Sequence, residues 1–175
     1  MINGKKQFDD SFILAPVPVV LVASRHEELG DNLITIAWCG VGCSDPQIIN
    51  ISIRPGRYSH RMIKESGSFT VNIPDYSLLD EVKICGAVSG RDCNKFERAG
   101  LTPLQSEKIG APLVAECPLN IECVLLEVKP LGVHDLFIGK VVRKHADSGI
   151  LTDGGKIDMD GVELISYVNG KYRVV

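Results

Sequence analysis

Arg54 and Arg57 flank a turn in the segment Ser52-Ile53-Arg54-Pro55-Gly56-Arg57-Tyr58-Ser59-His60. A strand pattern ends at its start, and a helix pattern begins near Ser59. Backbone N–H groups at a helix start, with hydroxyls and guanidinium groups beside them, suit a phosphate. A solvated basic turn with Ser59 as helix N-cap fits the same residues. The segment Ser89-Gly90-Arg91-Asp92-Cys93-Asn94-Lys95-Phe96 repeats the arrangement. A glycine-containing loop meets a helix start, with Arg91 and Lys95 available as cations. Asp92 as N-cap and Lys95 as surface charge account for it without a ligand. Cys93 sits near a helix start and cations, which both lower a thiol pKa, yet no base partners it.

Two further segments offer chemistry. Asn32-Leu33-Ile34-Thr35-Ile36-Ala37-Trp38 carries the single tryptophan, and the small residues Ala37, Gly40 and Gly42 let a flat ligand approach the backbone. The same stretch also reads as a strand whose Trp38 fills the core. Gly132-Val133-His134-Asp135 places a histidine in a loop entering a strand, within reach of a ligand or equally of solvent. His26 and His145 carry no further signal. No Ser-His-Asp or Cys-His arrangement is readable.

These segments need elements to hold them. Ile49, Ile51 and Ile53 alternate with Asn50 and Ser52, and Phe69, Val71 and Ile73 with Thr70 and Asn72, the period of half-buried strands. Leu119–Leu125 alternates in the same way. Val19–Ser24, Leu33–Trp38 and Leu136–Lys144 are also predicted strands. Asp153-Gly154-Gly155 marks a turn. Leu164–Val168 and Lys171–Val175 flank Asn169-Gly170, a strong hairpin signal. Helices are predicted over Tyr58–Ser66, ending at Gly67, and from Ser77 to about Cys85, with Asp80 completing a capping-box-like start. A third runs over Asp92–Ala99, ending at Gly100. Short strands separated by turns predict a β-rich α+β chain with at least seven strands, in a barrel or sandwich. No G-x-G-x-x-G or Walker-type loop is present.

Composition sets the bounds. The 175 residues suit a single domain. With 45% hydrophobic and 23% charged residues, whole-chain disorder, collagen and coiled coil are excluded. A net charge of −3 argues against a nucleic-acid partner. The apolar stretch Phe12–Ala23 is twelve residues long and broken by Pro16 and Pro18. A membrane helix needs about 20, and Asp9 and Asp10 spoil a signal-peptide reading. The expectation is a soluble, cytoplasmic protein without a membrane partner. The six cysteines (39, 43, 85, 93, 117 and 123) form no C-x-x-C pair, so no metal is expected and free thiols are. Cys123, in an alternating strand, reads as a small core residue.

Read in order, the motifs resemble the flavin reductase-like family, which includes flavoredoxins and NAD(P)H:flavin oxidoreductases. They are Pro16-Val17-Pro18-Val19-Val20-Leu21-Val22, Asn32-x-x-Thr35-Ile36-Ala37-Trp38, Asp45-Pro46, Ser52-Ile53-Arg54, Tyr58-Ser59-His60 and Phe69-Thr70-Val71-Asn72. Ser89-Gly90-x-x-x-x-Lys95-Phe96, Gly100-Leu101-Thr102, Glu122-Cys123 and His134 with Gly139-Lys140-Val141 complete the set. The clear resemblance spans about residues 16–142 of a single domain covering 1–175, with 151–175 as a C-terminal hairpin extension.

The resemblance implies an FMN-binding split β-barrel with a few short peripheral helices, and a homodimer with FMN near the subunit interface. Thr35, Ala37 and Trp38 would flank the ring and ribityl chain, with Asn32 as a polar contact. Ser52, Ile53 and Arg54 would run along the flavin. Arg54, Ser59 and Lys95 would face the phosphate, with Ser89 close by and Tyr58 and Asn72 as further cofactor contacts. His134 would be the catalytic candidate on the nicotinamide side, although Val133 stands where the family motif has Asp. The implied function is FMN-dependent oxidoreduction, with NADH or NADPH as donor and free flavin or a redox protein as acceptor. A flavoredoxin-like carrier without its own nicotinamide site is the alternative. A non-catalytic ligand-binding barrel is a third reading. The C-terminal segment is expected to add strands to the barrel or cover the partner subunit.

Overall fold

The alternating segments become strands of one curled sheet. The computed structural model describes residues 3–10 and 14–175, so Phe12 and Ile13 of the early apolar stretch lie outside the described residues. In chain order the elements are β1 (Val17–Pro18), β2 (Val20–His26), β3 (Gly30–Ile36), β4 (Cys39–Ser44), β5 (Gln47–Ile53), α1 (Tyr58–Ser66) and β6 (Ser68–Ile73). There follow α2 (Leu79–Ala87), α3 (Lys95–Ala99), β7 (Pro103–Leu104), β8 (Leu113–Val114), β9 (Leu119–Pro130), β10 (Asp135–Ala146), β11 (Ile165–Val168) and β12 (Lys171–Val174).

Seven strands form one antiparallel sheet in the order β3-β2-β6-β9-β10-β5-β4. Its two edge strands, β3 and β4, are joined through Ala37 and Trp38 alone. In a flat sheet six strand steps would hold those edges about 29 Å apart, whereas the connection reaches only about 10 Å. The sheet therefore curls until its edges meet, and Ser52 N–H donates to Trp38 O at 2.9 Å near that point. No ladder joins β3 to β4, which leaves the barrel split along this seam. The fold is the split barrel that the family resemblance implies, where the strand pattern alone left a barrel or a sandwich.

Strand β2 is buried on both faces. Val20 and Val22 join Ile51, Ile53, Phe69, Phe137 and Ile63 of α1 in the barrel interior. Leu21 and Ala23 face the other way, with Leu33, into a second core closed by Val82, Cys85, Phe96 and Ile165. That second core fixes α2 and α3 on the outside of β2 and β3.

Several expectations are corrected. Helix α1 spans the predicted residues, but its N-cap is Arg57, and Ser59 lies inside it. Asp75, not Ser77, caps the second helical segment. Its carboxylate accepts the Ser77 N–H at the head of a 3₁₀ turn (Tyr76–Leu78) that leads into α2. Helix α3 starts at Lys95 with Asn94 as its cap, because the Asn94 side chain accepts from Phe96 N–H while Asp92 sits in the preceding turn. The second strand ends at Ile36, short of Trp38. The C-terminal hairpin forms as predicted, with Asn169 at φ 45° and Gly170 at φ 78° in its turn. It does not extend the barrel, because β11 pairs with β1 in a separate three-stranded sheet. No helix among the described residues is long and apolar enough to cross a membrane.

Candidate functional site

A groove of about 480 Å³ opens where the barrel seam meets α2 and the C-terminal hairpin. Its floor is the end of β3 with Ala37 and Trp38, and the end of β5 with Ser52, Ile53 and Arg54. One wall is α2, through Lys83, Gly86 and Ala87, together with Tyr167 and Tyr172 of the hairpin. His134 and Arg57 bound the rest. Local chemistry sets this shape. Thr35 Oγ1 donates to Val82 O, tying α2 to β3. Gly86 packs on the same residue, where a Cβ would meet Thr35 Cβ at 3.4 Å, an ordinary van der Waals contact.

Trp38 is 49% exposed at the rim rather than filling the core. Its ring lies 4.4 Å from that of His134, tilted at 43°. Arg54 Nε donates to His134 Nε2 at 3.4 Å. Burial, and then the neighbouring Arg54 charge, lowers the His134 pKa, so the imidazole is neutral near pH 7 and accepts that bond. The next residue, Asp135, holds His60 of α1 at 2.8 Å, which braces the His134 loop against the helix that follows Arg57.

Behind Arg57 two loops lock together. Arg91 Nη1 donates to Gly56 O at 3.2 Å, and the guanidinium lies 5.5 Å from the Tyr58 ring centroid. Gly90 makes this possible, because a Cβ there would overlap the Asn32 side chain and the Tyr58 ring. Ser89 Oγ accepts the Arg91 N–H. Asn32 Nδ2 donates to Ser59 Oγ at 2.6 Å, while the buried Asn32 Oδ1 has no partner among the described residues. Lys95 is only 4% exposed. Its Nζ donates to Cys85 O at 2.7 Å, and among the described residues no carboxylate pairs with it. Burial lowers its pKa, Cys85 and Cys93 oppose that, and the Arg57 charge adds to it. A buried cation without a carboxylate partner is costly unless an anion joins it.

The electrostatics are one-sided. Arg54, Arg57 and Lys83 line the groove and no carboxylate does, an arrangement that draws anions. Thr35, Ala37, Trp38, Ser52, Ile53, Arg54 and His134 are brought together on its surface. Asn32, Tyr58 and Ser59 gather with the Ser89–Gly90 loop, whereas Lys95, at the start of α3, is bonded to Cys85 O of α2. Asn72 belongs elsewhere. It is fully buried, donates to Leu21 O and Thr70 Oγ1, and accepts from Val114 N–H and Asn120 Nδ2, so its polar atoms are committed to the core. Lys83, Gly86, Ala87, Tyr167 and Tyr172 are groove residues that the sequence reading missed. The hairpin signal held a clue to the last two. Residues placed symmetrically about Asn169-Gly170 become cross-strand neighbours, as Tyr167 and Tyr172 do.

None of the six cysteines lines the groove. Burial pushes Cys39 and Cys85 up to about 11 and Cys123 up to about 12. Cys123 sits in the barrel interior, as its strand pattern predicts.

Comparison with known proteins follows the same lines. The family model for the flavin reductase like domain matches residues 14–175, running past the 16–142 span into the C-terminal hairpin. An uncharacterized protein of Archaeoglobus fulgidus is 34% identical over 147 residues, covering 84% of this chain and 81% of that protein. The flavoredoxin of Desulfovibrio vulgaris (Miyazaki F) superposes with a TM-score of 0.90 at 32% identity, over 98% of this chain and 93% of that one. An FMN-binding protein from Thermus thermophilus superposes with a TM-score of 0.82 at 25% identity, over 97% and 96% of the two chains.

Proposed function

The chain belongs to the flavin reductase-like family, and from that premise we propose that it is an FMN-binding oxidoreductase that takes electrons from NADH or NADPH. One observation carries the FMN assignment. Among the described residues the buried Lys95 has no carboxylate partner and the buried Asn32 Oδ1 has no partner, while Arg54 and Arg57 line a groove walled by aromatic and aliphatic residues. A phosphate monoester supplies the missing anion, and the ribityl hydroxyls supply donors for a buried acceptor. The planar ring system suits the groove between Trp38 and the hairpin. The similarity to a flavoredoxin and to an FMN-binding protein supports the same ligand.

When bound, FMN supplies the redox chemistry. The chain's own work is to hold and orient. Arg54, Arg57 and Lys95 hold the phosphate end. Thr35, Ala37, Ser52 and Ile53 form the floor under the ring. His134, neutral and tied to Arg54, would face the nicotinamide donor. Electrons pass onward to free flavin or a redox protein. We further propose a homodimer. Val41, Leu131 and Val133 are 81%, 58% and 74% exposed, and apolar surface of this kind supports a covered face.

A second reading is a flavoredoxin-like carrier without its own nicotinamide site. The similarity to a flavoredoxin at 32% identity favours it, as does Val133 beside His134 where the family motif has Asp. The test is an anaerobic visible spectrum of FMN-reconstituted protein, before and after NADH and then NADPH. Bleaching of the bound-flavin band is the expected result. A bound flavin that neither nucleotide bleaches, but a reduced redox protein does, makes the chain a carrier.

A further inference from the structure

Three consecutive residues in the first turn of α1 each grip a different segment. The Tyr58 ring lies under the Arg91 guanidinium, and Ser59 Oγ accepts from Asn32 Nδ2. His60 reaches the third segment, where its Nε2 bonds Asp135 Oδ2 at 2.8 Å. The two side chains are only 10% and 14% exposed. The His60 ring also meets Phe137 edge-on, with centroids 5.0 Å apart at 89°. Asp135 and Phe137 are alternate residues of β10 and share a face, so His60 is fixed at two points on that strand.

Asp135 is the first residue of β10 and directly follows His134. It pairs with Ile53, the residue before Arg54. Within one chain, the turn that carries His134 has little else to hold it. Leu131 and Val133 are exposed. Gly132 takes φ 113°, and Leu131 N–H donates to His134 O inside the turn itself. The partners of the His134 ring sit at the rim. They are the half-exposed Trp38 and the exposed Arg54, whose bond is long at 3.4 Å. Solvent-exposed contacts of this kind open easily. A bond held out of water is stronger, and breaking it leaves a buried polar group unpaired.

We propose that His60 and Asp135 are positioning residues whose buried bond fixes the start of β10 and so holds the His134 ring against Trp38 and Arg54. Neither residue lines the groove, and both act through His134. Locking a working side chain by such a supporting bond is what sets its geometry to within a fraction of an ångström. The inference rests on the reading of His134 as the residue that faces the nicotinamide donor.

The test begins with the full-length apoprotein. Trp38 is the only tryptophan, so its emission at neutral pH reports the His134 contact without any cofactor. His134→Ala sets the emission of Trp38 without its ring neighbour. Asp135→Ala moves the emission to that same value, and combined with His134→Ala it moves it no further. Asp135→Asn keeps an oxygen acceptor for His60 and matches wild type. The FMN-loaded proteins are then mixed anaerobically with NADH or NADPH. Asp135→Ala slows bleaching of the bound flavin about tenfold, the scale of a displaced reacting geometry, and keeps FMN affinity within about twofold. In a His134→Ala background it slows bleaching no further. Emission that Asp135→Ala leaves unchanged overturns the inference. So does a rate loss that adds to that of His134→Ala, or an Asn variant as impaired as the Ala variant. If Asp135→Ala does not fold, His60→Asn, whose shorter side chain does not reach Asp135, is measured in the same way, and unchanged emission overturns the inference. A wild-type flavin that neither nucleotide bleaches overturns the donor reading and this inference with it, whereas normal bleaching with unmoved emission overturns this inference alone.

Discussion

Lys95 is where function and stability pull apart. It is buried and bonded to one carbonyl, with no carboxylate partner among the described residues. Lys95→Met is expected to leave the apoprotein as stable or more stable, by about 1 kcal/mol, because an uncompensated buried charge is removed. The same change should weaken FMN binding at least tenfold. Thermal unfolding with and without FMN measures both. His134 gives a pH prediction. Its folded pKa is lowered by burial. Below the unfolded value of about 6.5 the unfolded chain therefore binds the proton and the folded chain resists it. The stability from neutral His134 is present above that pH and is lost as pH falls through the folded pKa. His134→Asn should flatten this part of the profile in denaturant titrations between pH 7 and pH 5. Asn72 came only from the family resemblance, and its amide is bonded in the core to Leu21, Thr70, Val114 and Asn120.

At the scale of elements, the α3 cap is decisive because that five-residue helix carries Lys95 at its first position. Asn94→Ala should cost about 1 kcal/mol and loosen FMN, whereas Asp92→Ala should leave stability within about 0.5 kcal/mol. Urea unfolding of the two variants separates them, and equal effects would return the cap to Asp92. Gly90→Ala should cost about 1–3 kcal/mol, since the added methyl drives the loop off Asn32 and Tyr58. The elements were legible where burial is one-sided. Ile49–Ile53, Phe69–Ile73 and Leu119–Leu125 alternate because one face of each meets the core. Strand β4 was not legible. Cys39-Gly40-Val41-Gly42-Cys43 has little side-chain pattern, and as an edge strand it is mostly exposed. The starts of α2 and α3 slipped by two and three residues because Asp, Asn and Ser all serve as caps, and sequence does not say which one reaches the free N–H. The groove floor was legible because β3 and β5 contribute contiguous residues. The wall was not, because Lys83, Gly86, Tyr167 and Tyr172 meet only through tertiary packing.

For the whole molecule, the curled sheet is what brings the ends of β3 and β5 together, and the second core is what lays α2 and the hairpin over them. Glu122 reports on the integrity of this arrangement far from the groove. It is fully buried on β9 and accepts from Glu107 and Lys108 N–H and from His145 Nε2. Burial alone would raise its pKa, but these donors outweigh burial and hold it below the ordinary carboxylate value. Stability from Glu122 is therefore present above the unfolded pKa of about 4.3 and lost as pH falls below it. Glu122→Gln should destabilise by about 3 kcal/mol at neutral pH, measured by urea unfolding, and leave FMN affinity unchanged in the folded fraction. The central claim concerns the groove, and the most direct measurement is a titration of apoprotein with FMN that records stoichiometry, affinity and the visible spectrum. The account predicts one FMN per chain with a shifted visible band, and an affinity that falls sharply in Lys95→Met. No uptake of FMN, or uptake indifferent to Lys95, would contradict it.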